Sequence, residues 1–148
     1  MCCYAITKTK EMKNDKNTFI NPKGLFNPSN NGFSHIVKVE EGKSLYFFSG
    51  QWASDEKGQL VSQDFEEQVR KTVSNIKTAM EAAAVTIDDV VKQTVYIADF
   101  TQEKKNILIE VAFKEWQTEN FPASTIVPVP LLATAKGCLI EIDFIAAK

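Results

Sequence analysis

Residues 122–146, PASTIVPVPLLATAKGCLIEIDFIA, decide how this chain is read. They form two strand patterns joined by a loop at Ala133–Gly137. In the second pattern Ile140, Ile142, Phe144 and Ala146 alternate with Glu141, Asp143 and Ile145, so one face is apolar throughout and the other carries two carboxylates. The apolar side must lie under helices or another sheet. The carboxylate side must reach water, a partner or a cleft, because an unpaired carboxylate is costly to bury. Glu141 is therefore the first candidate for a site residue.

Working upstream, Thr101 to about Thr118 has the spacing of an amphipathic helix, with Ile107, Leu108, Val111, Ala112 and Trp116 as its apolar stripe. Val90–Ala98 is rich in β-branched residues and reads as a strand, preceded by a short capped turn at Thr86–Asp89. Asp64 with Glu67 offers a capping box, and Phe65, Val69, Val73, Ile76, Met80 and Ala83 recur at helical spacing behind it. Leu45–Phe48 is an apolar run of the kind found in buried strands, ended by Ser49-Gly50-Gln51. His35–Glu40 is expected to pair with it as a hairpin across the turn Glu41–Ser44, and one further short strand is expected near Leu60. Residues 1–20 lack any period and are expected to form a flexible arm, with residues 21–148 as a single domain and 21–32 as an irregular lead-in.

The order strand, strand, helix, strand, helix, strand, strand is an α+β pattern. Two helices cover one face of such a sheet. Val90–Ala98 nevertheless carries apolar residues on both faces, with Val91, Val95 and Ile97 on one and Val90, Tyr96 and Ala98 on the other. The uncovered face predicts a homo-oligomer.

At 148 residues the chain has the length of one domain. It contains no apolar run approaching the roughly 18 residues of a membrane span. The net charge is −2 with scattered lysines, which argues against nucleic-acid binding. Of 17 basic residues only Arg70 is an arginine, so the chain has almost no means of gripping a carboxylate through two parallel hydrogen bonds. Cys2, Cys3 and Cys138 lack metal-ligand spacing and His35 is the sole histidine, which predicts reduced thiols, no metal site and a cytoplasmic protein. Residues 1–11 lack the apolar core of a signal peptide.

From Phe33 to Ala146 the chain resembles the RidA (YjgF-type) reactive intermediate deaminase family, also labelled endoribonuclease L-PSP. The resemblance rests on Gly32-Phe33-Ser34-His35, Phe48-Ser49-Gly50-Gln51, Gln68 with Asn75, Val90-Val91-Lys92, Phe121-Pro122-Ala123 and Ile140-Glu141-Ile142, in that order and spacing. It implies a chorismate-mutase-like α+β fold, a mixed sheet with two helices on one face, assembled as a homotrimer with small-molecule clefts between subunits. It also implies hydrolysis of a C=N bond without a cofactor, with Glu141 positioning the water and Ser49-Gly50-Gln51 as a cleft-lining turn.

The chain departs from the family pattern where a substrate carboxylate is held. Ser124 stands at the arginine position, Phe33 at that of a cleft tyrosine, Ile126 at that of a cleft cysteine, and Ile109 near that of an asparagine. Ser124, its neighbour Thr125 and Ile126 are accordingly candidates for ligand contact, not for nucleophiles, since no base accompanies the hydroxyls. Arg70 follows Val69 on the first helix and should point to its flank, leaving a loop lysine such as Lys136 as a point charge. Three functions follow: hydrolysis of an imine or enamine, with weak activity on standard imino acids; a trimeric module that binds without turnover; and, disfavoured by charge, a ribonuclease.

Overall fold

The computed structural model describes residues 16–148. Eight elements follow in order: β1 (Thr18–Ile20), β2 (Ile36–Lys38), β3 (Leu45–Trp52), α1 (Phe65–Ala82), β4 (Val90–Ala98), α2 (Gln102–Trp116), β5 (Ala123–Val129) and β6 (Ile140–Ala147). β1 and β2 form a two-stranded antiparallel ribbon, and the main sheet has the order β3-β6-β4-β5. β6 runs antiparallel to both neighbours, whereas β5 is parallel to β4. The two strands of residues 122–146 therefore lie on either side of β4 and never touch, because a parallel β4–β5 pair needs the α2 crossover between them.

The helices start where their caps dictate. The Asp64 side chain accepts from the Glu67 N–H, and Thr101 accepts from the Lys104 N–H. α1 buries Phe65, Val69, Val73, Ile76 and Met80, and α2 buries Leu108 and Val111. Both helices meet one apolar surface made by Ile140, Ile142, Phe144 and Ala146 of β6 with Val95 and Ile97 of β4. Phe48 stacks on Phe144 with ring centroids 4.1 Å apart. Each such side chain removed from water contributes about 1.5–3 kcal/mol. The alternation read in β6 thus sets the layer order: helices on one side, Glu141 and Asp143 on the other.

Several expectations need correction. β2 pairs with β1, not with β3, so the expected hairpin is absent. The C-terminal strand takes the place of that partner: β6 pairs along β3, and Ser44 and Lys148 exchange backbone hydrogen bonds of 2.7 and 3.0 Å that extend the ladder. Of the expected arm, residues 1–15 lie outside the described residues, while Thr18–Ile20 form β1 and the Asn17 amide donates to the Ala147 carbonyl at 3.1 Å. Near Leu60 there is one isolated bridge to Ser54 and no strand.

β3 continues through Ser49-Gly50-Gln51 to Trp52, with a shift of register between Phe48 and Gln51. That segment is a β-bulge, not a turn. Leu45 and Phe47, expected to be buried, are 51% and 74% exposed, on the face opposite the helices. A second shift between Val90 and Lys92 swaps the expected faces of Val90 and Val91: Val90 joins the core opposite Ala146.

Candidate functional site

Glu141 projects from β6 on the helix-free face and is held from several sides. Trp52 and Tyr96 are its register partners on β3 and β4. The Thr134 hydroxyl, from the loop before β6, donates to Oε2 of Glu141. On the other side the β3 bulge brings Gly50 so close that a Cβ there would lie 2.0 Å from Oε1. A side chain at this position would have to displace the Glu141 carboxylate, which occupies its space.

The strands carrying these groups are tied to α1 by two amides. Gln68, fully buried, donates to the carbonyls of Ser62 and Gly137, both at 2.9 Å, and accepts from the Leu139 N–H at 2.8 Å. Asn75 donates to the carbonyls of Trp52 and Ser54 at 2.8 and 3.0 Å. These two hydrogen-bonded amides, Gln68 buried and Asn75 half-buried, fix the start of β6 and the end of β3 relative to one helix. The Asp143 charge beside Tyr96 raises its phenol above the usual value, so a neutral O–H stands next to the two carboxylates.

A second group gathers at the β5 edge. A parallel bridge between Ser34 and Ala123, with the Ser34 N–H donating to the Pro122 carbonyl at 3.0 Å, brings Phe33 to β5. Phe33 packs edge-on against Phe26 and His35, whose Nε2 lies 2.9 Å from the Phe26 carbonyl. Phe26, Phe33, Phe100, Ile126 and Pro128 wall a cavity of about 400 Å³. Its polar lining is Asn31, Ser124 and Lys105. The Gln93 amide donates to Ser124 Oγ at 3.1 Å. A smaller cavity of about 60 Å³ lies behind, beneath α2, and shares Asn31, Ser124 and Ile126; Ile109 lines it.

Within one chain the predicted site residues therefore fall into two groups. Glu141, Ser49 and Gly50 cluster on β6 and the β3 bulge, with Gln51 paired opposite Ile142 and its amide returned to the Ser49 carbonyl at 3.2 Å. Phe33, Ser124 and Ile126 share the cavity at the β5 edge. Thr125 sits opposite Thr94, and its hydroxyl accepts from the Lys92 ammonium at 3.2 Å. Ser124 is paired with Gln93 and Ile126 with Val95, on the helix-facing register that excludes Glu141.

Arg70 lies on the helix flank as expected, with Nη2 2.6 Å from Glu66. The cation lining the cavity beside Ser124 is Lys105, not Lys136. Lys105 and Thr134 were missed: Lys105 looks like any solvent-facing helix lysine, and Thr134 lies in a loop whose path the sequence does not specify. Among the described residues no cluster of His, Cys, Asp or Glu is arranged to hold a metal, and no helix is long and apolar enough to cross a membrane.

Comparison with known proteins bears on the same span. The family model described as Endoribonuclease L-PSP matches residues 26–148. A RutC family protein of Pyrococcus horikoshii is 38% identical over 117 residues, covering 78% of this chain and 86% of that one. A 2-iminobutanoate/2-iminopropanoate deaminase of Salmonella typhimurium is 35% identical over 115 residues, covering 77% and 87%. Among solved structures, a Rid-family protein from Yersinia pestis superposes with a TM-score of 0.83 at 25% identity, covering 90% of this chain and 99% of that one. RidA from an Antarctic Psychrobacter gives 0.63 at 29% identity, covering 86% and 94%.

Proposed function

The chain belongs to the RidA family, labelled Endoribonuclease L-PSP, and from that premise we propose a hydrolase of imines or enamines whose clefts form between the subunits of a homotrimer. The observation that carries this reading is the division of the site. Glu141 is held by Thr134 and Gly50 on a face that exposes Leu45 and Phe47, while the ligand-sized cavity at Ser124 opens at the β5 edge. One copy of the chain then supplies the carboxylate and the next supplies the cavity. Burying the exposed apolar face and completing the site become the same event.

The chemistry requires no group beyond those on the chain. Water adds to the imine carbon while the Glu141 carboxylate accepts its proton. Glu141 returns that proton to nitrogen to give a carbinolamine, then takes the carbinolamine's hydroxyl proton and delivers it to the amine as the C–N bond breaks, so the carbonyl forms and ammonia leaves. With Ser124 where the family pattern has arginine, a small 2-imino acid loses a charge-assisted pair worth roughly 1.5–3 kcal/mol, or ten- to over a hundredfold in binding. Standard imino-acid activity is therefore weak. A cytoplasmic setting fits the buried free thiol of Cys138.

A non-catalytic binding module is the second reading, favoured by the apolar residues Phe33 and Ile126 at positions where the family pattern has polar groups. Ribonuclease activity ranks below both, given the net charge of −2. The test is ammonia release from a panel of freshly generated imines by the native protein and by Glu141→Ala. Loss of at least roughly a hundredfold in the variant, with the assembly intact, is expected for a general base. Unchanged turnover removes Glu141 from the mechanism, and no acceleration by the native protein selects the binding module.

A further inference from the structure

We propose that the cavity at the β5 edge selects a monocarboxylate bearing an aromatic or branched apolar group, with Lys105 as the residue that holds the carboxylate. The inference rests on the cleft assignment above and names the ligand class it takes.

The cavity's volume of about 400 Å³ lies within the range of small-molecule sites and exceeds what a two- or three-carbon acid fills. Its walls are apolar, and three of them are phenylalanine rings. Among the described residues, Lys105 is the one charged residue lining it. Lys105 is half-buried, and a cation at such a residue beside aromatic walls, with no carboxylate among the described lining residues, attracts an anion.

Its neighbours on α2 are engaged elsewhere. The Lys104 ammonium donates to the carbonyls of Ala98 and Asp99 at 3.0 and 2.9 Å, Lys114 pairs with Glu110, and Glu115 pairs with Lys77. The Lys105 ammonium makes no hydrogen bond or ion pair among the described residues. Ser124 adds a directional donor: its Oγ already accepts from Gln93, which leaves its own hydroxyl proton for an acceptor inside the cavity. One ammonium and one hydroxyl grip a carboxylate without the planar fork of an arginine. Affinity must then come from the apolar group filling the aromatic walls, which small acids lack.

Calorimetric titration of the intact assembly with phenylacetate, phenylacetamide and acetate separates these contributions. The expected result is that phenylacetate binds about tenfold or more tightly than either comparison compound, and more weakly in high salt. Lys105→Gln should bring phenylacetate to the level of phenylacetamide while leaving phenylacetamide unchanged. Lys105→Arg should keep the preference, and Lys136→Gln should have no effect. Equal binding of acid and amide, or a preference that survives Lys105→Gln, overturns the proposal. The two readings fail separately: Glu141-dependent hydrolysis with no carboxylate preference removes Lys105 alone, whereas Lys105-dependent binding without turnover removes the catalytic reading alone.

Discussion

β5 and β6 flank the same strand and carry the two groups of candidate residues, yet they hold them by different means. On β6 the position of Glu141 is over-determined. Gln68 fixes the backbone before it through two hydrogen bonds, at Gly137 and Leu139, Thr134 binds its carboxylate, and Gly50 leaves it room. On β5 the cavity is bounded by a sheet edge, by the lead-in carrying Phe26 and Phe33, and by the first turn of α2. A carboxylate that must orient water profits from preorganisation. A recognition surface is assembled from whatever side chains the edge and its loops present, and there the departures at Phe33, Ser124 and Ile126 fall together.

The sharpest way to break the comparison is to keep the two halves apart. Phe47→Lys places a charge on the exposed apolar face while leaving the helix-side core untouched. Sedimentation should show the assembly reduced to single chains, and hydrolysis should disappear although each chain stays folded. An assembly of native mass would mean that this face is not the contact.

Loosening the rigid half is the next test. Gln68→Leu leaves the Leu139 N–H and the Gly137 and Ser62 carbonyls without their partner, at a cost of about 3 kcal/mol in denaturant unfolding. Unfolding within about 0.5 kcal/mol of native, the usual range for surface substitutions, would show that this amide does not anchor β6.

The smallest effect concerns the link between the helices beneath the two halves. Hydrogen bonding from Lys77 holds the Glu115 carboxyl below its usual value, so its contribution to stability is present above the unfolded pKa and is lost as pH falls through the folded one. Lys77→Ala should remove that acid-side loss, changing stability at neutral pH by under about 1 kcal/mol because the pair is partly exposed. Parallel acid unfolding curves for the two proteins would contradict it.

Much of this arrangement was legible in the residues because its signals are local. Asp64 and Thr101 mark helix starts, the α1 stripe marks its buried face, and the alternation from Ile140 to Ala146 separates core from site. The pairing of β3 with β6 was not legible, since a strand pattern does not name its partner across a hundred residues. The bulges at Ser49–Gln51 and Val90–Lys92 were also hidden: one extra residue reverses the alternation from which faces are read. Alternation within β5 and within β6 was visible, but whether Ser124 and Glu141 share a face depends on sheet order and on parallel pairing. Lys105 was invisible for a different reason, because only the tertiary position of the α2 first turn distinguishes it from Lys104.

The most direct test of a site built between copies mixes two damaged chains. Glu141→Ala lacks the carboxylate, and Ser124→Trp fills the cavity; each alone should be inactive on an imine that the native protein hydrolyses. Co-expressed in equal amounts, they should recover about a quarter of the native rate, because random closed assembly pairs an intact Glu141 with an intact Ser124 cavity at that frequency. Mixed assemblies that form but remain as inactive as their parents would contradict a cleft shared between subunits.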